Sequence, residues 1–230
     1  MPRSARGAVW FGVASIRRIG GGGPAMTVKL ADLERQLQSI SNAPCDAGPV
    51  EMIVSRQGEG EREVLTEAWL DVAHGLEGDT WQTRIPKGKT APDPETQLTV
   101  MNARAIAAIA GTRERWPLAG DQLYVELDIS VANMPAGTRL GVGGATIEIS
   151  RLPHTGCKAF VERYGLDALR FVSTPMGREL RLRGANCRVV SSGLVRVGDT
   201  VGKLPAHGDA SDGTTDRQAT NTNDTNELTL

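Results

Sequence analysis

Cysteine and histidine are scarce in this sequence, and their scarcity argues against two kinds of site. The cysteines are Cys45, Cys157 and Cys187; they are odd in number, far apart and never in a C-x-x-C pair. This pattern disfavours both a disulfide framework and a closed zinc site. Of the three histidines, only His154 lies near a cysteine. We therefore expect a reducing compartment, the cytoplasm, and no histidine-rich metal centre.

Long apolar runs are missing as well. No stretch approaches the roughly 18 apolar residues of a membrane-spanning helix, so we expect no membrane span. Aromatic residues make up only 4% of the 230 residues and the formal net charge is −1, which gives no support to nucleic-acid binding. No Gly-x-Gly-x-x-Gly follows a predicted strand, so nicotinamide binding is unsupported.

The two ends of the chain differ from its middle. Residues 1–26 are Gly-rich and contain four arginines and no acidic residue, while residues 205–230 contain five acidic residues and one arginine among Gly, Thr and Asn. Since Met26 offers a second start, we interpret 1–26 as a disordered or non-native extension. The polar composition of 205–230 predicts a disordered tail.

Between these ends, apolar spacing predicts a helical lead-in followed by a β domain. In residues 27–49, Leu30, Leu33, Leu37 and Ile40 recur at intervals of three and four, which is typical of an amphipathic helix over 27–39. Residues 50–204 contain many short, alternating apolar runs separated by Gly, Asn and Pro. We predict a mostly β, largely antiparallel fold, a β-barrel with a few covering helices.

Two helices interrupt the predicted strands. The segment MNARAIAAIAG offers Asn102 as an N-cap and Gly111 as a terminator. A second helix is predicted over CKAFVERYGLDALRFV, with a break at Gly165. Gly-Asp recurs at residues 78, 120 and 198 without a constant period, which indicates turns and not a repeat.

The junction before the second of these helices is the candidate site. The strand ATIEISRLP ends at Pro153, and Cys157 follows at the first turn of the helix. Unpaired N–H groups and the helix dipole favour an anion there, which predicts a thiolate. A lone cysteine is more often a packed thiol, but Thr155 and Gly156 are poor core residues. Cys187, inside a predicted strand, is interpreted as structural, and Cys45 as incidental.

Positive charge is concentrated around the same junction. Residues 151–188 contain eight basic residues against three acidic ones. This excess predicts a phosphate-bearing cofactor or an acidic partner. Arg163 and Arg170 are interpreted more simply as solvated helix faces.

The segment RLPHTGCKAFVERYGLDALRFVSTPMGRELRLRGANCRVVSSGLVRVGDTV resembles the core of a MOSC domain, the module named after the C-terminal region of molybdenum cofactor sulfurases. HGLEGDTW and QLTVMNARAIAAIAG are similar to stretches that precede that core in stand-alone bacterial members. The likeness covers roughly residues 50–204. It implies a MOSC-type β-barrel, a molybdenum-pterin cofactor with its molybdenum ion, and, among the family's properties, pyridoxal phosphate binding.

The resemblance also implies roles for particular residues. Cys157 would be the metal ligand or carry sulfur, and His154 would orient a group or donate a proton. Asp79 would support a cofactor loop. The expected cofactor-binding residues are Arg151, Thr155, Lys158, Arg183 and Asn186.

Three functions stay open at this point. The first is a molybdoenzyme that reduces N-hydroxylated small molecules; it needs an external redox partner protein, since the sequence offers no flavin, haem or iron–sulfur ligation. The second is a sulfur carrier or transferase with a persulfide on Cys157 for metal–sulfur cofactor assembly. The third is a non-catalytic pterin- or partner-binding barrel.

Overall fold

The computed structural model describes residues 17–19 and 27–205. The predicted extension over 1–26 and the predicted tail over 205–230 therefore lie outside the described residues, apart from the short strand at 17–19 and residue 205. The strands are β1 (Arg17–Ile19), β2 (Ala47–Arg56), β3 (Arg62–Leu65), β4 (Glu67–Asp71), β5 (Gly75–Leu76), β6 (Leu98–Asn102), β7 (Leu123–Val125), β8 (Arg139–Val142), β9 (Ala145–Pro153), β10 (Ala185–Ser191), β11 (Gly193–Arg196) and β12 (Thr200–Lys203).

Helices cover parts of this β framework. The α-helices are α1 (Leu30–Arg35), α2 (Leu37–Ser41), α3 (Ala103–Ala110), α4 (Lys158–Ser173) and α5 (Pro175–Glu179), and short 3-10 helices span Thr80–Thr83, Pro94–Thr96 and Arg113–Ala119. None of the helices in residues 27–205 combines the length and the apolar character needed to cross a bilayer.

Seven strands close into a mixed β-barrel. Their order is β2, β12, β8, β9, β10, β6 and β7, and β7 pairs back onto β2. All these neighbours are antiparallel except β6 and β7, which run parallel. β3 extends the sheet from β2 and pairs with β1, while β11, β4 and β5 form a second, small sheet. The predicted mostly β barrel with a few helices is confirmed.

Two apolar clusters stabilise the barrel. The first fills its interior with Val, Ile and Leu side chains and includes Cys187, which is fully buried. Burial raises the pKa of the Cys187 thiol to about 12, so this cysteine is an inert core residue. The second cluster lies between the barrel and the helices and includes Leu33, Ile106, Phe160 and Phe171.

The predicted helix boundaries that depend on caps are confirmed. The Asn102 side chain accepts hydrogen bonds from the N–H groups of Arg104 and Ala105, at 2.8 and 3.1 Å, and α3 ends at Gly111 with φ 77°. α4 breaks at Gly165, where φ is 85° and a Cβ would lie 2.7 Å from the Thr27 side chain.

The lead-in differs in detail from the single helix predicted over 27–39. It begins at Leu30, whose N–H donates to the Asp167 carboxylate of α4 at 3.2 Å, and it is divided into α1 and α2 at Gln36. Leu33 and Ile40, seven residues apart, both remain buried. The predicted apolar face therefore survives the break between the two helices.

Candidate functional site

Cys157 lies at the surface where β9 gives way to α4. It is the N-cap of α4, with extended backbone angles, and its carbonyl accepts the N–H groups of Phe160 and Val161 at 3.0 and 3.2 Å. Its side chain makes no capping hydrogen bond and is exposed. Gly156 brings the chain close to α4, because a Cβ there would lie 2.4 Å from the Leu169 side chain. The thiol is therefore reachable from solvent.

A buried charge cluster lies beside this junction. Asp121 follows the left-handed Gly120 and is completely buried. Its Oδ2 accepts from Nη1 of Arg183 at 2.7 Å, and its Oδ1 lies 3.3 Å from Nδ1 of His154. The His154 contact has an ion-pair distance but poor hydrogen-bond alignment. Arg183 also donates to the Ala119 carbonyl at 3.0 Å.

This cluster sets the charge state of His154. Burial opposes ionisation of Asp121, but the charges of Arg183 and His154 outweigh it and hold the pKa of that carboxyl well below its usual range. Burial and then the Arg183 charge lower the pKa of His154, against the opposing effect of Asp121. A neutral imidazole at pH 7 suits a positioning role better than proton donation.

The lowered pKa of His154 predicts a pH-dependent stability. The unfolded chain binds a proton near pH 6.5 that the folded state accepts only at lower pH, so the free energy of unfolding falls as pH drops through 6.5. The slope is at most about 1.4 kcal/mol per pH unit. Urea unfolding between pH 5 and 8 measures this pH dependence of the unfolding free energy. The His154→Gln variant is expected to show a weaker dependence. If the same change at the exposed His74 flattens it equally, His154 is not its source.

A second buried ion pair joins β2 to the Gly78-Asp79 turn. Arg56 donates from Nε and Nη2 to the Asp79 carboxylate at 2.9 and 2.7 Å, and its backbone N–H donates to Oδ2 at 2.9 Å. The Asp79 side chain is fully buried and also accepts the Trp81 N–H at 2.8 Å. The pair fixes the loop that contains Asp79 against the barrel.

Three further arginines, Arg62, Arg84 and Arg163, lie near this pair. Arg62, on β3, is only 6% exposed, and its pKa is lowered to about 10 by burial and then by the charges of Arg163, Arg84 and Arg56. Its Nη1 donates to two backbone carbonyls, while its buried Nε has no partner among the described residues. A guanidinium group that is surrounded by other positive charges and has an unpartnered N–H favours the binding of an anion.

Arg84 ends the 3-10 helix at Thr80–Thr83; it is exposed to solvent, and only part of it is covered by neighbouring residues. Burial and then the Arg56 charge lower the pKa of Arg84, while Asp79 and, more weakly, a thiolate at Cys157 act in the opposite direction. Arg163 donates from Nη1 to the Leu118 carbonyl at 2.6 Å. Within residues 27–205, none of Arg62, Arg84 and Arg163 forms an ion pair with a carboxylate. We call these three residues the arginine cluster.

The structure brings some of the predicted site residues together and leaves others apart. His154 and Arg183 meet at Asp121. Asn186 is also buried, and its side chain donates to the Leu152 carbonyl at 3.2 Å. Lys158 points to solvent, with 91% of its side chain exposed and Glu162 3.7 Å away. The other two predicted cofactor-binding residues, Arg151 and Thr155, are exposed.

Sequence reasoning placed one arginine wrongly and missed others. Arg163 is half-buried and belongs to the arginine cluster, whereas a solvated helix face was predicted; Arg170 is exposed, as expected. No local pattern in the sequence marks Arg56, Arg62 and Arg84, because they come from distant segments. The recurring Gly-Asp turns were a usable signal, since two of the three supply the buried carboxylates Asp79 and Asp121.

Comparisons with known proteins support the fold. No family model and no curated protein matches the sequence. A crystal structure described only as a hypothetical protein is similar with a TM-score of 0.50 and 19% identity, over 71% of this chain and 70% of that one. At this identity the likeness supports the barrel fold alone.

Two further solved structures have lower scores. YuaD from Bacillus subtilis has a TM-score of 0.48 and 15% identity over 67% of this chain and 94% of its own. YiiM from Escherichia coli has a TM-score of 0.47 and 18% identity over 70% of each chain.

Proposed function

We propose that this chain is a MOSC-type protein that binds a molybdenum-pterin cofactor beside Cys157 and reduces N-hydroxylated compounds. The observation that carries the proposal is an exposed thiol at the N-cap of α4, the helix that also contains Arg163 of an arginine cluster with no carboxylate partner in the described part of the chain. The closed barrel and the sequence likeness around Cys157 support the same family.

The residues present fit such a cofactor. Guanidinium groups without carboxylate partners bind phosphate well, and an added anion relieves the repulsion between positive charges held close together. Arg62 is buried, Arg163 is half-buried and Arg84 is exposed, so the arginine cluster extends from the interior to the surface. Residues 27–205 contain no group of three or more His, Cys, Asp or Glu side chains able to hold a metal ion. A metal that arrives on an organic cofactor needs only one protein ligand, and a thiolate suits a soft metal centre. Pyridoxal phosphate binding stays a prediction.

Each part of the site would have a separate task. Cys157 would hold the metal, and the arginine cluster would bind the cofactor phosphate. The Asp121 ion pair would keep Arg183 and His154 in place around the junction. Asn186 would act indirectly: its side chain holds the backbone of β9 at Leu152, just before the junction that contains Cys157.

The bound cofactor would supply two-electron redox chemistry at its metal. Reduction of an N-hydroxylated compound consumes two electrons and two protons, breaks the N–O bond and releases the amine and water. The electrons would come from an external redox partner protein. Since His154 is neutral near pH 7, the protons would come from solvent at the exposed junction.

A sulfur carrier is the second candidate, and the exposure of Cys157 favours it. A persulfide on Cys157 would pass its outer sulfur to an acceptor thiolate on a partner protein, leaving the Cys157 thiolate and a persulfide on the acceptor. An exposed thiol permits that contact without any rearrangement of the barrel.

The arginine cluster can be tested with inorganic phosphate. We expect wild-type protein to bind phosphate in isothermal titration calorimetry, and Arg84→Ala to weaken binding by about fivefold or more, because one charged donor is lost. Arg170→Ala is the matched control, since Arg170 is exposed and paired with Asp167 at 3.0 Å. Equal losses in both variants, or no binding by wild type, would exclude a specific anion site at the arginine cluster.

A further inference from the structure

The turn that ends the 3-10 helix at Arg113–Ala119 binds arginine side chains through its backbone. The carbonyl of Leu118 accepts from Nη1 of Arg163 at 2.6 Å, and the carbonyl of Ala119 accepts from Nη2 of Arg183 at 3.0 Å. The last carbonyls of a helix have no partner inside that helix, so they are available to such donors. Two guanidinium groups are therefore held by consecutive backbone carbonyls.

A third arginine lies against the next residue of the turn, Gly120. This glycine has a left-handed backbone, with φ 85°, and a Cβ built on it would lie 3.3 Å from Nη2 and 3.7 Å from Nε of Arg62. Nη1 of Arg62 also donates to the carbonyls of Gly58 and Glu61, at 3.3 and 2.6 Å. A side chain at position 120 would therefore push the Arg62 guanidinium away from these two carbonyls.

Two tyrosines fix the 3-10 helix that precedes the turn. The Tyr164 hydroxyl, from α4, donates to the Arg115 carbonyl at 2.6 Å, and the Tyr124 hydroxyl, from β7, donates to the Trp116 carbonyl at 2.7 Å. Both tyrosines are fully buried, and burial raises the pKa of both hydroxyls, so they stay neutral donors near pH 7. The helix is thus anchored to two separate elements of the fold.

We infer that the turn Leu118–Gly120 positions the guanidinium groups of the site, with Gly120 as the positioning residue for Arg62. The turn occupies one N–H group of Arg163 and one of Arg183. The buried Nε groups of Arg62 and Arg183 stay without a partner among residues 27–205, which leaves them as donors for an anion. This role rests on the anion site of the proposed function, and it assigns the arrangement of that site to one short segment.

Gly120→Asn tests this role, because asparagine tolerates a left-handed backbone better than most residues and adds a side chain against Arg62. We expect the full chain with this change to bind inorganic phosphate about fivefold or more weakly than wild type in isothermal titration calorimetry. Gly137→Asn is the matched control, since Gly137 has φ 92° and no atom lies within 4 Å of a Cβ built there. It should change the phosphate affinity by less than about twofold.

The position of the Arg62 guanidinium can also be measured without phosphate. Its Nε–H signal in a nitrogen–proton NMR spectrum is assigned from its loss in Arg62→Met. We expect this signal to shift in Gly120→Asn and to stay in place in Gly137→Asn. In an Arg62→Met background, Gly120→Asn should weaken phosphate binding by less than about a further twofold, because the group that it displaces is absent.

Equal losses of phosphate affinity in the two glycine variants would overturn the role of Gly120, and so would an Arg62 signal that does not move in Gly120→Asn. If wild type binds no phosphate, the proposed anion site fails. The Arg62 signal then still decides whether Gly120 positions the guanidinium group, so the two proposals can fail independently.

Discussion

Cys157→Ala is expected to remove molybdenum from the protein while leaving the fold intact. Cys157 would be the only protein ligand to the metal, and its side chain makes no capping hydrogen bond. Loss of a sole ligand should lower the molybdenum content by more than about tenfold. The measurement is metal analysis of protein purified from a molybdenum-replete host.

Cys45→Ala is the matched control for this experiment. Cys45 is also an exposed, free cysteine, but it lies in the loop before β2, away from the arginine cluster. We expect Cys45→Ala to keep the wild-type metal content. A Cys157→Ala protein that keeps its molybdenum would show that another residue holds the metal, and circular dichroism would establish that both variants are folded.

Asp121→Asn is expected to cause the largest loss of stability among single changes near the site. The carboxylate is fully buried between Arg183 and His154, and its removal leaves the Arg183 charge buried without a counter-charge. Breaking a buried ion pair in this way costs about 3–5 kcal/mol of unfolding free energy. Chemical denaturation at pH 7 measures the loss.

A surface pair and a double variant complete this test. Asp32→Asn removes the partner of Arg35 on the exposed face of α1 and should cost less than about 1 kcal/mol. Asp121→Leu combined with Arg183→Met removes both buried charges and should cost much less than the two single changes together. Equal costs for Asp121→Asn and Asp32→Asn would show that the buried pair does not stabilise the fold.

Features of the fold that depend only on residues adjacent in the sequence could be predicted from the sequence. The Asn102 cap, the end of α3 at Gly111 and the break at Gly165 follow from local backbone chemistry, and the short alternating runs predicted the barrel. The position of Cys157 at a strand-to-helix junction follows in the same way. Each of these needs only a few consecutive residues.

The arginine cluster could not be predicted, because it depends on tertiary packing. Arg62 comes from β3, Arg84 from the loop after the 3-10 helix at Thr80–Thr83, and Arg163 from α4. The excess of basic residues in 151–188 has the correct sign for this region, but it includes exposed residues such as Lys158 and does not include the buried Arg62. Linear spacing does not show which basic side chains turn inward.

The most direct test of the proposed function is the molybdenum and pterin content of the full wild-type chain from a molybdenum-replete host, measured together with the intact mass of the protein. The reductase proposal predicts about one molybdenum and one pterin per chain. Metal-free protein carrying one additional sulfur atom on Cys157 would contradict it and favour the sulfur carrier.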